Sequence, residues 1–409
     1  MVRFGKSSSI FLTLLLVTLS VVLAQDTKPV AKKKRTAKKS TPAKKATTKN
    51  VTAASAAAKP PVKTASTKKA RLTRTAALRK PRVSWKEVVD RASKGNSSEG
   101  DDLNGEDLIV REASLGALGQ LNGSVLVVDP KSGRILSIVN QHLAFSNGEQ
   151  PCSTIKLPVA LAALSEGIIN RDTQVPLNRR WSMNLTEAIA HSNNPFFENL
   201  GNRMGFEKVS HYANEFGFGE LAGYHIQEEQ LGTFPGQAPS FGGVKRMSSF
   251  GQDVQVTPLQ LAAFVSAIAN GGTLYYLQRP RTPEELENFQ PQVKRQLNVQ
   301  PILADLREGM MAAVDHGTGR RAQNSFDTVY GKTGTCSHNG NHLGWFASFE
   351  GNADPRLSVV VLLRGGHYAG GGHAAEVAGK VYRNLNERNY AALLANRPAS
   401  AGEAVAGQK

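Results

Sequence analysis

Cys152-Ser153-Thr154-Ile155-Lys156, running on as LPVALAALSEG to Gly167, is the stretch on which the reading of the chain turns. Leu157, Ala160, Leu161 and Leu164 recur at i, i+3, i+4 and i+7, which marks one buried helical face with Gly167 as its stop. Ser153 and Lys156 stand one turn apart at the start of that helix, so hydroxyl and amine share a face. A serine nucleophile beside its own base has this geometry. Ser-x-x-Lys alone is too common to carry a function, so partners must be found elsewhere in the chain.

Upstream, Gly123 to Val128 and Arg134 to Val139 are β-branched runs on either side of Asp129-Pro130-Lys131-Ser132-Gly133, which predicts a hairpin with a longer or bulged loop. This pair of strands is expected to open the folded domain. Downstream, Asn184 to Met204, containing HSNNPFFENLGNRMG, reads as helix-rich, and a second helix is predicted over Glu207 to Glu215. Thr257-Pro258-Leu259-Gln260 supplies a cap, a first-turn proline and a polar third residue for a helix that closes at Asn270-Gly271-Gly272. Another helix runs from Pro301 to about Val314. The period then changes to strands at Thr328 to Thr335, Leu343 to Phe349 and Leu357 to Leu363, the last two joined across GNADPR, before a final helix from about His373 to Ala395. Strands at both ends with helices between them predict an α+β fold whose antiparallel sheet is closed by distant segments.

The chain has 409 residues and a formal charge of +17, which by itself would suggest nucleic acid or a membrane surface. Residues 28 to 82 hold 19 Lys or Arg and no acid, so the rest of the chain carries −2. The basicity belongs to a tail. Arg3 and Lys6 precede an apolar run from Ile10 to Ala24 that ends Val22-Leu23-Ala24 before Gln25, so residues 1–24 read as a signal peptide, or a signal anchor if uncleaved. The run is short for a spanning helix, which favours cleavage. Residues 25–104 lack the large apolar side chains needed to offset ordering entropy and are expected to form a disordered Lys/Ala/Pro/Thr-rich tether, with a short helix at 84–92 capped by Ser84. Export to the periplasm or another extracytoplasmic space leaves anionic cell wall or membrane surface as the tail's partner, or none; no nucleic acid is expected. The domain is placed at 105–395, followed by a flexible tail at 396–409.

Three short clusters stand in order along that domain: Ser153-x-x-Lys156 at a helix start, Ser192-Asn193-Asn194 in a helical region, and Lys332-Thr333-Gly334-Thr335 on a predicted strand. With them the chain resembles the transpeptidase domains of penicillin-binding proteins, which share a fold with serine β-lactamases. SFGQDVQVTPLQLAAFVSAIANGG, LREGMMAAVDHGTGRRA and YGKTGT followed by LGWFASFEG look typical of the family as well. The resemblance implies a five-stranded antiparallel sheet flanked by helices, with an inserted all-helical subdomain and the site between them. It implies that Ser153 is the nucleophile, Lys156 its base, and Ser192 a relay to the leaving amine. A free lysine is protonated at neutral pH, so burial and a second cation, Lys332, are expected to neutralise Lys156. Asn194 would hold the substrate amide, while Lys332, Thr333, Gly334 and Thr335 would bind the terminal carboxylate. The backbone N–H groups of Ser153 and Thr335 would form the oxyanion hole.

The substrates implied are peptidoglycan stem peptides ending in D-Ala-D-Ala, with β-lactams as acylating mimics and no cofactor. The reaction is that of a D,D-transpeptidase or D,D-carboxypeptidase. A serine β-lactamase is the alternative, for which Glu228 and Glu229 are the nearest approach to the Glu-x-x-Leu-Asn loop that activates a deacylating water in class A enzymes; a non-catalytic sensor of β-lactams or muropeptides is another. Composition leaves no room in residues 25–104 for a second catalytic domain. Cys152 and Cys336, the only cysteines, flank the first and third clusters, and the resemblance extends to a disulfide between them, as in some carbapenem-hydrolysing β-lactamases. His338, His342, His367 and His373 crowd the C-terminal strands, but their spacing matches no common zinc pattern and no metal is assigned to them.

Overall fold

The computed structural model describes residues 98–395 apart from 339 and 352–355. The expected signal segment, the 84–92 helix, the tail at 396–409 and nearly all of the tether lie outside the described residues.

The described domain opens with helix α1 (Leu108–Leu118), not with the predicted hairpin. The Asp107 carboxylate caps it by accepting from the N–H groups of Ile109 and Val110. Its inner face is small and interrupted by a buried arginine, Arg111, which blurs the apolar period. The guanidinium of Arg111 is held by Asp101 at 2.6 Å, the Ile138 carbonyl at 2.5 Å and Glu106 at 3.3 Å. Asp101 also accepts from the N–H groups of Asn140 and Gln141. Packing against the domain therefore begins ahead of residue 105.

Strands β1 (Gly123–Val128) and β2 (Ile135–Val139) form the expected hairpin, with a register shift at Val127/Val128. Helix α2 (Gln141–Ala144) and a 3-10 turn at Cys152–Ile155 lead into α3 (Lys156–Ser165). A small hairpin of β3 (Val175–Asn178) and β4 (Trp181–Met183) precedes α4 (Leu185–Ala190) and α5 (Asn194–Glu215). The two helices predicted on either side of residue 205 are both present within the α5 range, separated by Gly205, whose φ of 77° and ψ of 169° are not helical. Then come α6 (Gly243–Phe250), α7 (Pro258–Asn270), a second small hairpin of β5 (Thr273–Tyr275) and β6 (Val293–Gln296) enclosing α8 (Pro283–Glu287), and α9 (Leu303–Asp315). The capping box of Thr257 and Gln260 on α7 forms as the sequence predicts.

Strands β7 (Val329–His338), β8 (Asn341–Glu350) and β9 (Leu357–Gly365) complete a five-stranded antiparallel sheet of order β2-β1-β9-β8-β7. Val125 pairs with Val361, so the first and last strands of the sheet meet at its centre. The predicted last helix is two, α10 (Gly371–Glu387) and α11 (Tyr390–Ala395), divided where Asn389 turns to a φ of 56°.

Apolar side chains cover both faces of the sheet, which explains why β1 reads as an unbroken run. Leu126, Trp345, Phe349 and Leu362 pack with α3 and α7 on one face. Val125, Phe346 and Val361 pack with α1 and α10 on the other. The sheet ends at β7, whose outer edge has no strand partner among the described residues. An edge strand keeps backbone donors and acceptors for something else to use.

Candidate active site

Helix α3 is buried on every side from Lys156 to Leu164. A helix enclosed all round belongs to the middle of a domain, and its N-terminal turn is fixed by what surrounds it. Cys152 takes a φ of 51° to make the tight entry, and Thr154 closes the 3-10 turn by donating its hydroxyl to the Pro151 carbonyl at 2.7 Å. Ser153 is left partly exposed, while Lys156 directly behind it is fully buried.

The Lys156 amine lies 3.0 Å from Ser153 Oγ. It also donates to the Ser192 carbonyl at 2.7 Å, lies 3.0 Å from Ser192 Oγ, and donates to Asn194 Oδ1 at 2.5 Å. The Ser192 turn between α4 and α5 explains the spacing of that cluster. Asn193, its middle residue, is spent as the cap of α5, accepting from the Phe196 N–H at 2.9 Å. Ser192, at a φ of 54°, and Asn194 are thereby both left to meet Lys156.

Lys332 reaches in from β7 and donates to Ser192 Oγ at 2.9 Å and to the Thr333 carbonyl at 2.9 Å. Two amines therefore share one hydroxyl. Burial pushes Lys156 down to about 7, opposed by the negative charge of Glu198. Lys332, also fully enclosed, is pushed well below the usual lysine range by burial and then by the Lys156 charge. Burial, expected as one cause, leads for Lys156, while the coupling expected from a second cation falls on Lys332 instead. A neutral amine beside Ser153 is available near neutral pH.

Strand β7 is drawn close to the Ser153 turn. A Cβ on Gly334 would come within 2.8 Å of the Pro151 carbonyl oxygen, so only glycine allows this approach. Cys152 and Cys336 are joined as the resemblance implied. Thr333 donates to or accepts from the hydroxyl of Thr318 at 2.7 Å, and Thr335 Oγ1 accepts from the Gly371 N–H at 2.9 Å. Thr318, Gly371 and Glu198 were not singled out from sequence. Thr318 sits in the HGTG run already noted as typical of the family, and Glu198 follows Asn194 by one helical turn, so both left a trace.

The four C-terminal histidines go separate ways. His338 faces Glu149, His342 faces Ser337, and His367 and His373 flank the ring of Tyr368. Glu229, one of the carboxylates considered for a hydrolytic role, spends its two oxygens on the N–H groups of Ala222 and Gly223, and Glu228 pairs with Arg281.

A five-stranded antiparallel sheet whose edge strand delivers a lysine to a partly exposed serine backed by a buried lysine defines the fold class shared by transpeptidase domains and serine β-lactamases. The family model for the penicillin-binding protein transpeptidase domain matches residues 123–383, and the chain belongs to that family. Among its relatives, Stage V sporulation protein D of Bacillus subtilis is 31% identical over 312 residues, covering 63% of this chain and 48% of that protein. Peptidoglycan D,D-transpeptidase MrdA of Haemophilus influenzae is 26% identical over 365 residues, covering 69% of this chain and 56% of that one. The chain thus spans about half the length of the curated relatives it matches. The fold recurs in the transpeptidase domain of Burkholderia pseudomallei penicillin-binding protein 3, with a TM-score of 0.61 and 20% identity over 71% of this chain and 95% of that one.

Proposed function

We propose that the protein is a peptidoglycan D,D-transpeptidase that works through an acyl-enzyme on Ser153. The observation that carries the reading is the Lys156 amine, buried, pushed down to about 7 and 3.0 Å from Ser153 Oγ. Neutral Lys156 takes the hydroxyl proton as Ser153 Oγ attacks the carbonyl carbon between the two D-alanines of a stem peptide. The N–H groups of Ser153 and Thr335 stabilise the oxyanion. The C–N bond then breaks, and Ser192, bridging both lysines, passes a proton to the departing amine so that D-alanine leaves neutral at that nitrogen. An amine from a second stem peptide attacks the ester, loses its proton to the same relay and returns Ser153 to its hydroxyl. Asn194 holds the donor amide; Lys332, Thr333, Gly334 and Thr335 receive its carboxylate. The chemistry requires no cofactor. Peptidoglycan lies outside the cytoplasm, which fits residues 1–24 as an export signal or anchor and residues 25–104 as the spacer that carries the domain to its substrate, its Lys and Arg facing anionic wall or membrane.

Glu229 is tied to backbone N–H groups, which removes the sequence-based candidate for activating a deacylating water and disfavours the β-lactamase alternative. The test is labelling with fluorescent penicillin followed over time. Wild type is expected to keep the label for many minutes and Ser153→Ala to take none; loss of label within seconds would identify a β-lactamase, and ligand binding without acylation a sensor. Adding a D-alanyl-D-alanine peptide with and without an acceptor amine separates transfer from hydrolysis.

A further inference from the structure

On the outer side of the Ser192 turn, two helices end together. His191 closes α4 and His316 closes α9, their N–H groups bonding back to Glu187 and Ala312. The Thr318 N–H donates to the Ala190 carbonyl at 3.0 Å, and Gly317 packs so tightly that a Cβ there would fall 2.3 Å from the same oxygen. The two helix ends are therefore held in a fixed relation.

Across that junction Glu187 reaches both histidines. One carboxylate oxygen lies 3.2 Å from His191 Nε2 and the other 3.7 Å from His316 Nε2. The three side chains bring one ligand atom each within 4.8 Å of one another. Tetrahedral zinc with bonds of about 2.0–2.1 Å sets its ligands about 3.3 Å apart, so a single Glu187 oxygen and the two imidazoles, now within 4.8 Å of one another, need close by only about 1.5 Å at most to hold it. Asp315 faces the other nitrogen of His316, Nδ1, at 3.2 Å. A carboxylate on Nδ1 fixes the tautomer that offers Nε2 to a metal, an arrangement that recurs behind metal-bound histidines. Two carboxylates and the C-terminal end of α9 all favour a cation at this point.

We propose that Glu187, His191 and His316 form a zinc-binding site, with Asp315 positioning His316. Two imidazoles and one carboxylate select zinc over magnesium or calcium, which take oxygen ligands. Three protein ligands leave a fourth position for water or an anionic group. The site is distinct from the serine machinery but adjoins it: His191 precedes Ser192, and His191, His316, Thr318 and Thr335 line one cavity of about 670 Å³. A bound zinc would pin the turn that presents Ser192 to the segment that holds Thr333.

The test is calorimetric titration of the metal-free full chain with zinc, with cobalt(II) absorption reporting coordination geometry. One zinc per chain is expected, with the absorption of a tetrahedral nitrogen and oxygen site and a raised melting temperature. His191→Ala and His316→Ala should each weaken binding at least about tenfold, and Asp315→Asn by about 10–100-fold, while the comparison variant His367→Ala binds as wild type does. Circular dichroism establishes that each variant is folded. Binding no tighter than millimolar, or undiminished binding by the His191→Ala/His316→Ala double variant, would overturn the site.

Discussion

Cys152 and Cys336 are disulfide-bonded with Cα atoms 5.6 Å apart, tying the residue before Ser153 to the residue after Thr335. The bond joins the Ser153 turn to the edge strand and closes a loop spanning 184 positions. In the chain-entropy model a loop of that length is worth about 5 kcal/mol, and measured bonds commonly deliver about 2–4. Cys336→Ser is expected to lower stability to urea by an amount in that range, and reductant should lower wild type similarly while leaving the variant unchanged. Alkylation of both cysteines in the unreduced protein would show that the bond does not form.

In the proposed mechanism Lys156 sets the pH dependence of acylation. Its proton must be absent for it to accept one from Ser153, and burial brings its pKa down to about 7. Below that value most molecules carry the cation, so labelling by penicillin should rise about tenfold per pH unit and level off above about 7. Lys156→Met should slow labelling by about 10²–10⁴-fold at every pH and abolish that rise. A wild-type profile flat from pH 5 to 9 would exclude Lys156 as the base.

The candidate site was legible because each part is carried by a short run whose side chains lie together: Ser153 and Lys156 by helical spacing, Lys332 to Thr335 by a strand. The three central strands were equally plain, since burial on both faces leaves continuous runs such as LSVVVLLRG. What escaped depends on tertiary contacts. Helix α1 hides its inner face because Arg111 is buried there, and that burial makes sense only once Asp101, Glu106 and the Ile138 carbonyl surround it. The small hairpins were missed because β3 to β6 are short and half exposed, without a period-2 pattern to show them. Which of the two lysines feels the other's charge escaped for a similar reason, because the sequence names neighbouring charges but not the depth at which each amine is enclosed.

Asp101 extends the domain ahead of residue 105. Its carboxylate and that of Glu106 neutralise Arg111, and all three side chains are nearly inaccessible. Removing one partner of a buried pair costs about 3–5 kcal/mol when the charge is left alone, and less where a second carboxylate remains. Asp101→Ala is therefore expected to destabilise the domain by about 2–3 kcal/mol in urea denaturation, and a chain beginning at residue 105 by at least as much. A change below about 0.5 kcal/mol would place the start of the folded unit after Asp101.

Glu350 provides a pH signature separate from catalysis. It is 2% exposed, and burial raises its pKa to about 7 against the charge of Arg356 and the amides of Asn386 and Asn324, which donate to Oε2 at 3.3 and 3.4 Å. In the unfolded chain the group titrates near its usual value of 4.5. Between those two values the folded chain holds a proton the unfolded chain has released, so this carboxyl's stabilising contribution is full below about 4.5 and is lost as pH rises through about 7. The difference amounts to roughly 3 kcal/mol by linkage. Glu350→Gln keeps an oxygen for both asparagines and cannot ionise, so its stability relative to wild type should improve by about that much between pH 4.5 and pH 8. Urea denaturation of both proteins across this range makes the comparison, and parallel stability curves would show that Glu350 titrates as an ordinary carboxylate.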